Sequence, residues 1–270
     1  MSWWTKNKWK VIIPLVVVAV LASVFWYGGN APGLRGWPVD DTEKTSTPPA
    51  QAEDTTKESM EARPEGGMSA GEKEAAAAAL AGGEDVPEGD KDYSEAQGMV
   101  FDSNTGKDQY LTDPVPEGKP LPVEPQDVTF SDVAHTCTLS VRCDTILDNM
   151  EWLDPEKTEL VPKDGVILPA TEVTFYEGES VFNVLQREMK KAKIHMEFSD
   201  TPMYNSAYIE GIHNLYEFDC GELSGWMYKV NGWFPNYGCS RYQLQEGDVV
   251  EWVYTCTLGV DVGGHNAIGG

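Results

Sequence analysis

SGWMYKVNGWFPNYGCSRYQLQEGDVVEWVY, Ser224 to Tyr254, sets two β-prone runs around Asn231-Gly232 and follows them with a third. Asn-Gly between such runs is the strongest short-range signal for a two-residue type I′ turn, because both turn positions need positive φ. Trp226, Tyr228 and Val230 alternate with Met227 and Lys229, so one strand face is aromatic. Trp233, Phe234, Tyr237 and Tyr242 follow the turn, and Gly247-Asp248 opens a last strand. The spacing therefore predicts an aromatic hairpin that either fills a core or lines a recognition surface. Alternation alone would put Trp226, Tyr228 and Trp252 on an inner face. Trp233, Phe234 and Tyr237, beside the turn and broken by Pro235, read as more exposed. A ring can stack on a ligand while its polar tip stays wet, so Trp226, Tyr228, Trp233, Phe234, Tyr237 and Tyr242 are the candidate ligand-binding residues.

Upstream, Thr136 to Cys143 alternates, with Cys137, Leu139, Val141 and Cys143 on one face, the pattern of a half-buried strand. A second strand is expected at 172–176. Ser180 then reads as the N-cap of a helix whose apolar stripe is Val181, Val184, Leu185, Met189 and Ala192. Further strands are expected at 194–198, 207–212, 225–230, 241–244 and 249–257. One main helix on a mixed sheet gives an α+β domain over 128–258, followed by a flexible Gly-rich tail, 259–270.

The rest of the 270-residue chain has a different character. Val11 to Tyr27 is an uncharged run of about 17 residues, the short end of a bilayer span. Lys6, Lys8 and Lys10 precede it, which predicts a cytoplasmic N-terminus (1–10), a single-pass signal anchor (11–27) and everything beyond on the outer side of the cell membrane. A cleaved signal peptide ending near Ala31 is the rival reading, and it has the same topological consequence. Residues 28–127 show no sustained hydrophobic period and are rich in Pro, Gly, Ala, Ser, Thr and acids, which predicts a disordered stalk. Within it, GEKEAAAAALAGG is a helix former too short to persist alone in water. A net charge of -24 argues against nucleic acid as a partner, since phosphate contacts need a basic face.

The stretches CTLSVRCDTIL, GESVFNVLQRE, YIEGIHNLYEFDCGELSGWMYKVNGWFPNYG and LQEGDVVEWVYTC resemble a bacterial cell-surface family of unknown function. That family is similar to the C-terminal β domain of transcobalamin and intrinsic factor. The resemblance spans 128–264 and implies a β-grasp-like mixed sheet. It also implies cobalamin, or another corrinoid, as the ligand to expect. In the vertebrate proteins cobalamin lies between this domain and a large helical domain. Here a stalk stands in that place, so another protein, such as a transporter, would have to supply the remaining half of the pocket.

Five cysteines, Cys137, Cys143, Cys220, Cys239 and Cys256, are disulfide candidates if the compartment is oxidising. Cys137 and Cys143 lie about 20 Å apart along one strand and cannot pair with each other. Neighbouring first and last strands, as β-grasp topology allows, would let Cys256 reach either of them. Cys220 and Cys239 flank the aromatic segment as a second candidate pair. Reduced, buried thiols are the alternative. His135, His195, His213 and His265 are scattered without metal-ligand spacing, so no metal site is expected. In Gly221-Glu222-Leu223-Ser224-Gly225 the serine falls one place late for a nucleophile elbow, and no other enzyme signature is present. The sequence thus predicts a non-enzymatic, membrane-anchored binding domain at the cell surface that captures a corrinoid. The alternative is an adhesion or structural module for a wall glycan or a partner protein.

Overall fold

The computed structural model describes residues 68–81 and 89–264. The expected membrane anchor, most of the first half of the stalk and the end of the tail lie outside them. Among the described residues no helix is long and apolar enough to cross a membrane.

The centre is a four-stranded mixed sheet in the order β2-β1-β7-β6. β1 (Ala134–Arg142) pairs antiparallel with β2 (Val166–Tyr176), and a helix, α3 (Val181–Ala192), follows. The last strand, β7 (Val249–Thr255), returns parallel to β1 with Val141 opposite Trp252. β6 (Gly225–Val230) closes the other edge antiparallel to β7. A second sheet, β3 (Met196–Thr201), β4 (Ser206–Ile212) and β5 (Leu215–Tyr216), is antiparallel. The expected mixed α+β domain is present.

Local chemistry accounts for these elements. Ser180 accepts from the Asn183 N–H and Asn183 reaches back to the Ser180 N–H, a reciprocal cap at the start of α3. Lys193 ends the helix in the left-handed region, φ 58°. Val181, Val184, Leu185 and Met189 are buried as their spacing requires, and Leu185 is fully enclosed. Ala192, expected in the same stripe, is exposed because the helix ends there. On β1 the predicted inner face holds: Cys137, Leu139, Val141 and Cys143 are buried.

Two expectations about the aromatic segment change. Asn231 and Gly232 do take positive φ, 52° and 78°, and Val230 and Trp233 exchange backbone hydrogen bonds of 2.8 and 3.0 Å. The hairpin ends after that one pair, however, and β6 pairs along its length with β7 instead. Pro235 cannot donate to a ladder, so the chain after the turn leaves the sheet. The strand expected at 241–244 is likewise irregular, with a single bridge between Gln243 and Ser180.

The boundary of the folded unit also differs. Residues 89–127, expected as stalk, pack on the domain as a strap. A short helix, α2 (Lys91–Ala96), is capped by Asp90, and Ser94 and Val115, both fully buried, bond to each other through the Ser94 hydroxyl. Asp108 and Thr112 are buried as well. The strap buries few apolar side chains; it is held by polar contacts to distant residues, which hydrophobic periodicity does not register. The Ala-rich run is also helical, α1 (Ala70–Leu80), with a Ser69–Glu72 capping box.

Candidate functional site

The six candidate rings do not form an exposed surface. Tyr242, Phe234, Tyr237, Tyr228 and Trp226 are between 2 % and 9 % exposed, and Trp233 is half-buried. Tyr237 and Phe234, expected outside, are in the interior. The rings pack on one another, with Tyr228 5.5 Å from Trp252, Tyr237 6.2 Å from Tyr242 and Trp226 edge-on to Tyr254. Their polar tips bond inward: Tyr228 Oη donates to the Tyr237 carbonyl, Tyr237 Oη to the Pro120 carbonyl and Trp226 Nε1 to the Leu215 carbonyl, at 2.8, 2.7 and 2.8 Å. Burial pushes the Tyr228 and Tyr237 phenols well above their ordinary range, so both stay neutral donors.

Trp226, Tyr228 and Tyr237 do share one feature: they line a cavity of about 480 Å³. Trp233, Phe234 and Tyr242 lie outside its wall. The remaining wall comes from β4 at Ala207 and Ile209, from Trp252 on β7 and from the strap loop Tyr110–Thr112. At its rim stand Tyr204, Tyr208 and Phe218, each about two-fifths exposed. Lys73 of α1 reaches the same rim, its ammonium 4.2 Å above the Phe218 ring.

Arg241 organises the strap side of this cavity. It is 1 % exposed and bridges three strap residues, donating to Thr112 Oγ1, Asp108 Oδ2 and Glu124 Oε1 at 2.5, 2.8 and 2.7 Å. Its guanidinium also stacks 5.0 Å from the Tyr110 ring. Asn236 Nδ2 donates to the Asp113 and Pro114 carbonyls, fixing the strap from the other side. Sequence reasoning missed Arg241 and Asn236; an arginine inside the aromatic segment was the one available signal.

Three buried side-chain polar atoms among the described residues have no hydrogen-bond partner: Asn236 Oδ1, Arg241 Nε and Trp252 Nε1. All three residues line the cavity. A buried donor or acceptor left unmade costs roughly 1–3 kcal/mol, a local cost carried beside the cavity. Two are donors and one is an acceptor, and the Asn236 orientation is set by its two carbonyl bonds.

All five cysteines are free and buried. The expected pairings of Cys256 with Cys137 or Cys143, and of Cys220 with Cys239, are not formed. Cys239 turns to β4, its thiol 3.5 Å from the Ala207 carbonyl, and burial raises it to about 12. Cys256 instead faces Cys220, with the sulfurs 3.4 Å apart. Among the described residues no group of three His, Cys, Asp or Glu side chains is placed to hold a metal ion.

Residues 178–256 match the family described as Domain of unknown function (DUF4430). No curated protein matches the chain. Among solved structures, haptocorrin in complex with Cbi is similar at 16 % identity and a TM-score of 0.35, over 46 % of this chain and 26 % of that one. This chain thus spans about a quarter of the haptocorrin chain's length. A candidate metal-binding protein from Ruminococcus gnavus is similar at 15 % identity and a TM-score of 0.27, over 45 % of this chain and 96 % of that one. The family match at residues 178–256 falls inside the span, 128–264, over which the motifs resemble a cell-surface family of unknown function.

Proposed function

We propose that this domain binds a small organic ligand in the cavity walled by Trp226, Tyr228, Tyr237 and Trp252, and that the ligand is a corrinoid. The observation that carries the reading is a mostly apolar, ring-lined cavity with a few polar residues, among them Asn236 and Arg241, in its wall. A ligand with an apolar body and a hydrogen-bonding edge suits such a wall, and the amide-bearing edge of a corrinoid has that chemistry. A whole corrinoid exceeds about 480 Å³, so this domain would hold one edge of the ring. The exposed rings Tyr204, Tyr208 and Phe218 would then contact the remainder, or the protein that completes the pocket. The anchor read at 11–27 would hold the domain outside the cytoplasm, where an uptake system could collect its cargo.

Equilibrium dialysis of the full chain against cobinamide and cobalamin tests this. Retention at micromolar concentration, with a change in tryptophan fluorescence, is the expected result. No retention at millimolar protein would remove corrinoid capture by this chain alone and leave a pocket completed by a partner, or an adhesion module for a protein or glycan.

A further inference from the structure

Cys220 and Cys256 stand in a setting that the ligand cavity does not explain. Cys256 follows directly on β7, and Cys220 sits in the loop that leads into β6. Both side chains are essentially sealed, at 1 % and 0 % exposure, and their sulfurs are 3.4 Å apart. The Cys220 sulfur is also 3.5 Å from the Asn149 carbonyl, so it is held toward Cys256 from behind. The two backbone segments are tied beside the pair: Leu258 N–H donates to the Leu223 carbonyl at 2.7 Å, and Tyr254 Oη bonds to Ser224 Oγ at 3.0 Å. A disulfide holds its sulfurs about 2.05 Å apart, so this pair must close by roughly 1.3 Å.

We propose that Cys220 and Cys256 form a disulfide when the chain folds under oxidising conditions, stapling one wall of the cavity. The same two segments supply Leu223, Ser224, Thr255 and Leu258 to that wall. The step is thiol–disulfide exchange with a disulfide donor such as a dithiol oxidoreductase or oxidised glutathione. One cysteine thiolate attacks the donor's S–S bond and releases a donor thiolate. The second cysteine then attacks the mixed disulfide, releasing the other donor thiolate. Two protein thiols are oxidised, the donor is reduced by two electrons, and the two cysteine protons end on the donor's thiols. At 0 % and 1 % exposure the folded pair is sealed from a disulfide donor, and the neighbouring Cys220 sulfur, together with burial, pushes the Cys256 thiol up. The bond therefore forms during folding, before the wall closes. Cys137, Cys143 and Cys239, buried and outside the Cys220–Cys256 contact, remain thiols.

The test is to unfold and reduce the full chain, refold it in a glutathione redox buffer, and alkylate under denaturing conditions. Peptide mapping should show one bond joining Cys220 to Cys256, with the other three cysteines alkylated. The melting temperature should exceed that of the reduced protein by roughly 10 °C. In Cys220→Ser and Cys256→Ser this difference should vanish, whereas in Cys239→Ser it should persist. Five alkylated thiols in protein refolded to its native circular dichroism, or a bond joining another pair, would overturn the proposal. The wild-type map decides the matter even where a serine variant fails to fold.

Discussion

Arg241 and Asp108, 133 residues apart in the chain, meet in a buried ion pair at 2.8 Å. The pair joins the strap to the middle of the aromatic segment and so fixes where the folded unit begins. Glu124 binds the same guanidinium nitrogen, at 2.7 Å, and the Val123 N–H donates to the Arg241 carbonyl. Removing the arginine leaves Asp108 buried without its countercharge. Arg241→Met is therefore expected to cost roughly 3–5 kcal/mol, read from urea unfolding of the full chain.

The same relationship makes the strap part of the domain. A fragment beginning at Val128 loses Asp108, Thr112 and Glu124 as well as the buried Val115. It should unfold at lower urea than a fragment beginning at Gly89, by at least as much as Arg241→Met destabilises the full chain. Equal midpoints for the two fragments would refute the strap.

Trp252→Phe tests the cavity directly. It keeps an aromatic ring 5.5 Å from Tyr228 but removes the unpartnered indole N–H. Cobinamide affinity is expected to fall roughly tenfold as the wall loses ring area, and the smaller ring in a buried position should also lower the melting temperature. Dialysis and thermal unfolding together separate the two effects.

Glu246 gives the fold a defined acid response. Its carboxylate accepts from the Thr136 N–H and Oγ, each at 2.9 Å, and lies 3.0 Å from His135 Nδ1. The Thr136 N–H foremost holds this carboxyl below its ordinary value of 4.5. A folded value below the unfolded one means the stabilisation is present above about pH 4.5 and is lost as pH falls through the folded value. The difference in urea midpoint between wild type and Glu246→Gln should therefore be present at neutral pH and disappear in strong acid.

Gly232→Ala probes the turn. Gly232 has φ 78° and open space where a Cβ would stand, so the cost is conformational rather than steric. About 1 kcal/mol of destabilisation is expected from chemical denaturation, with the β6–β7 pairing intact.

Much of the fold was legible in local pattern. The period-two alternation of β1, the Ser180 cap and the 3.6-residue stripe of α3 each reflect short-range geometry that a sequence states outright. The Asn231-Gly232 turn was legible for the same reason, since only a few residue types accept two consecutive positive φ values. Strand pairing was not, because β6 could close on the chain just after the turn or on β7, and hydrogen-bonding capacity does not distinguish them.

The candidate site was half legible. Trp226, Tyr228 and Tyr237 do reach the cavity wall, but enclosed rather than displayed, because the strap and β4 cover them. Arg241 and Asn236 were hidden among the aromatics, since their partners lie in a strap that composition marks as disordered. The sequence by itself determined the period of each element, the caps, the turn and the acidic surface, all properties of residues close along the chain. Only the tertiary structure decided which rings became core, which carboxylates met Arg241 and that Cys220 faces Cys256, because those follow from packing between segments up to 133 residues apart.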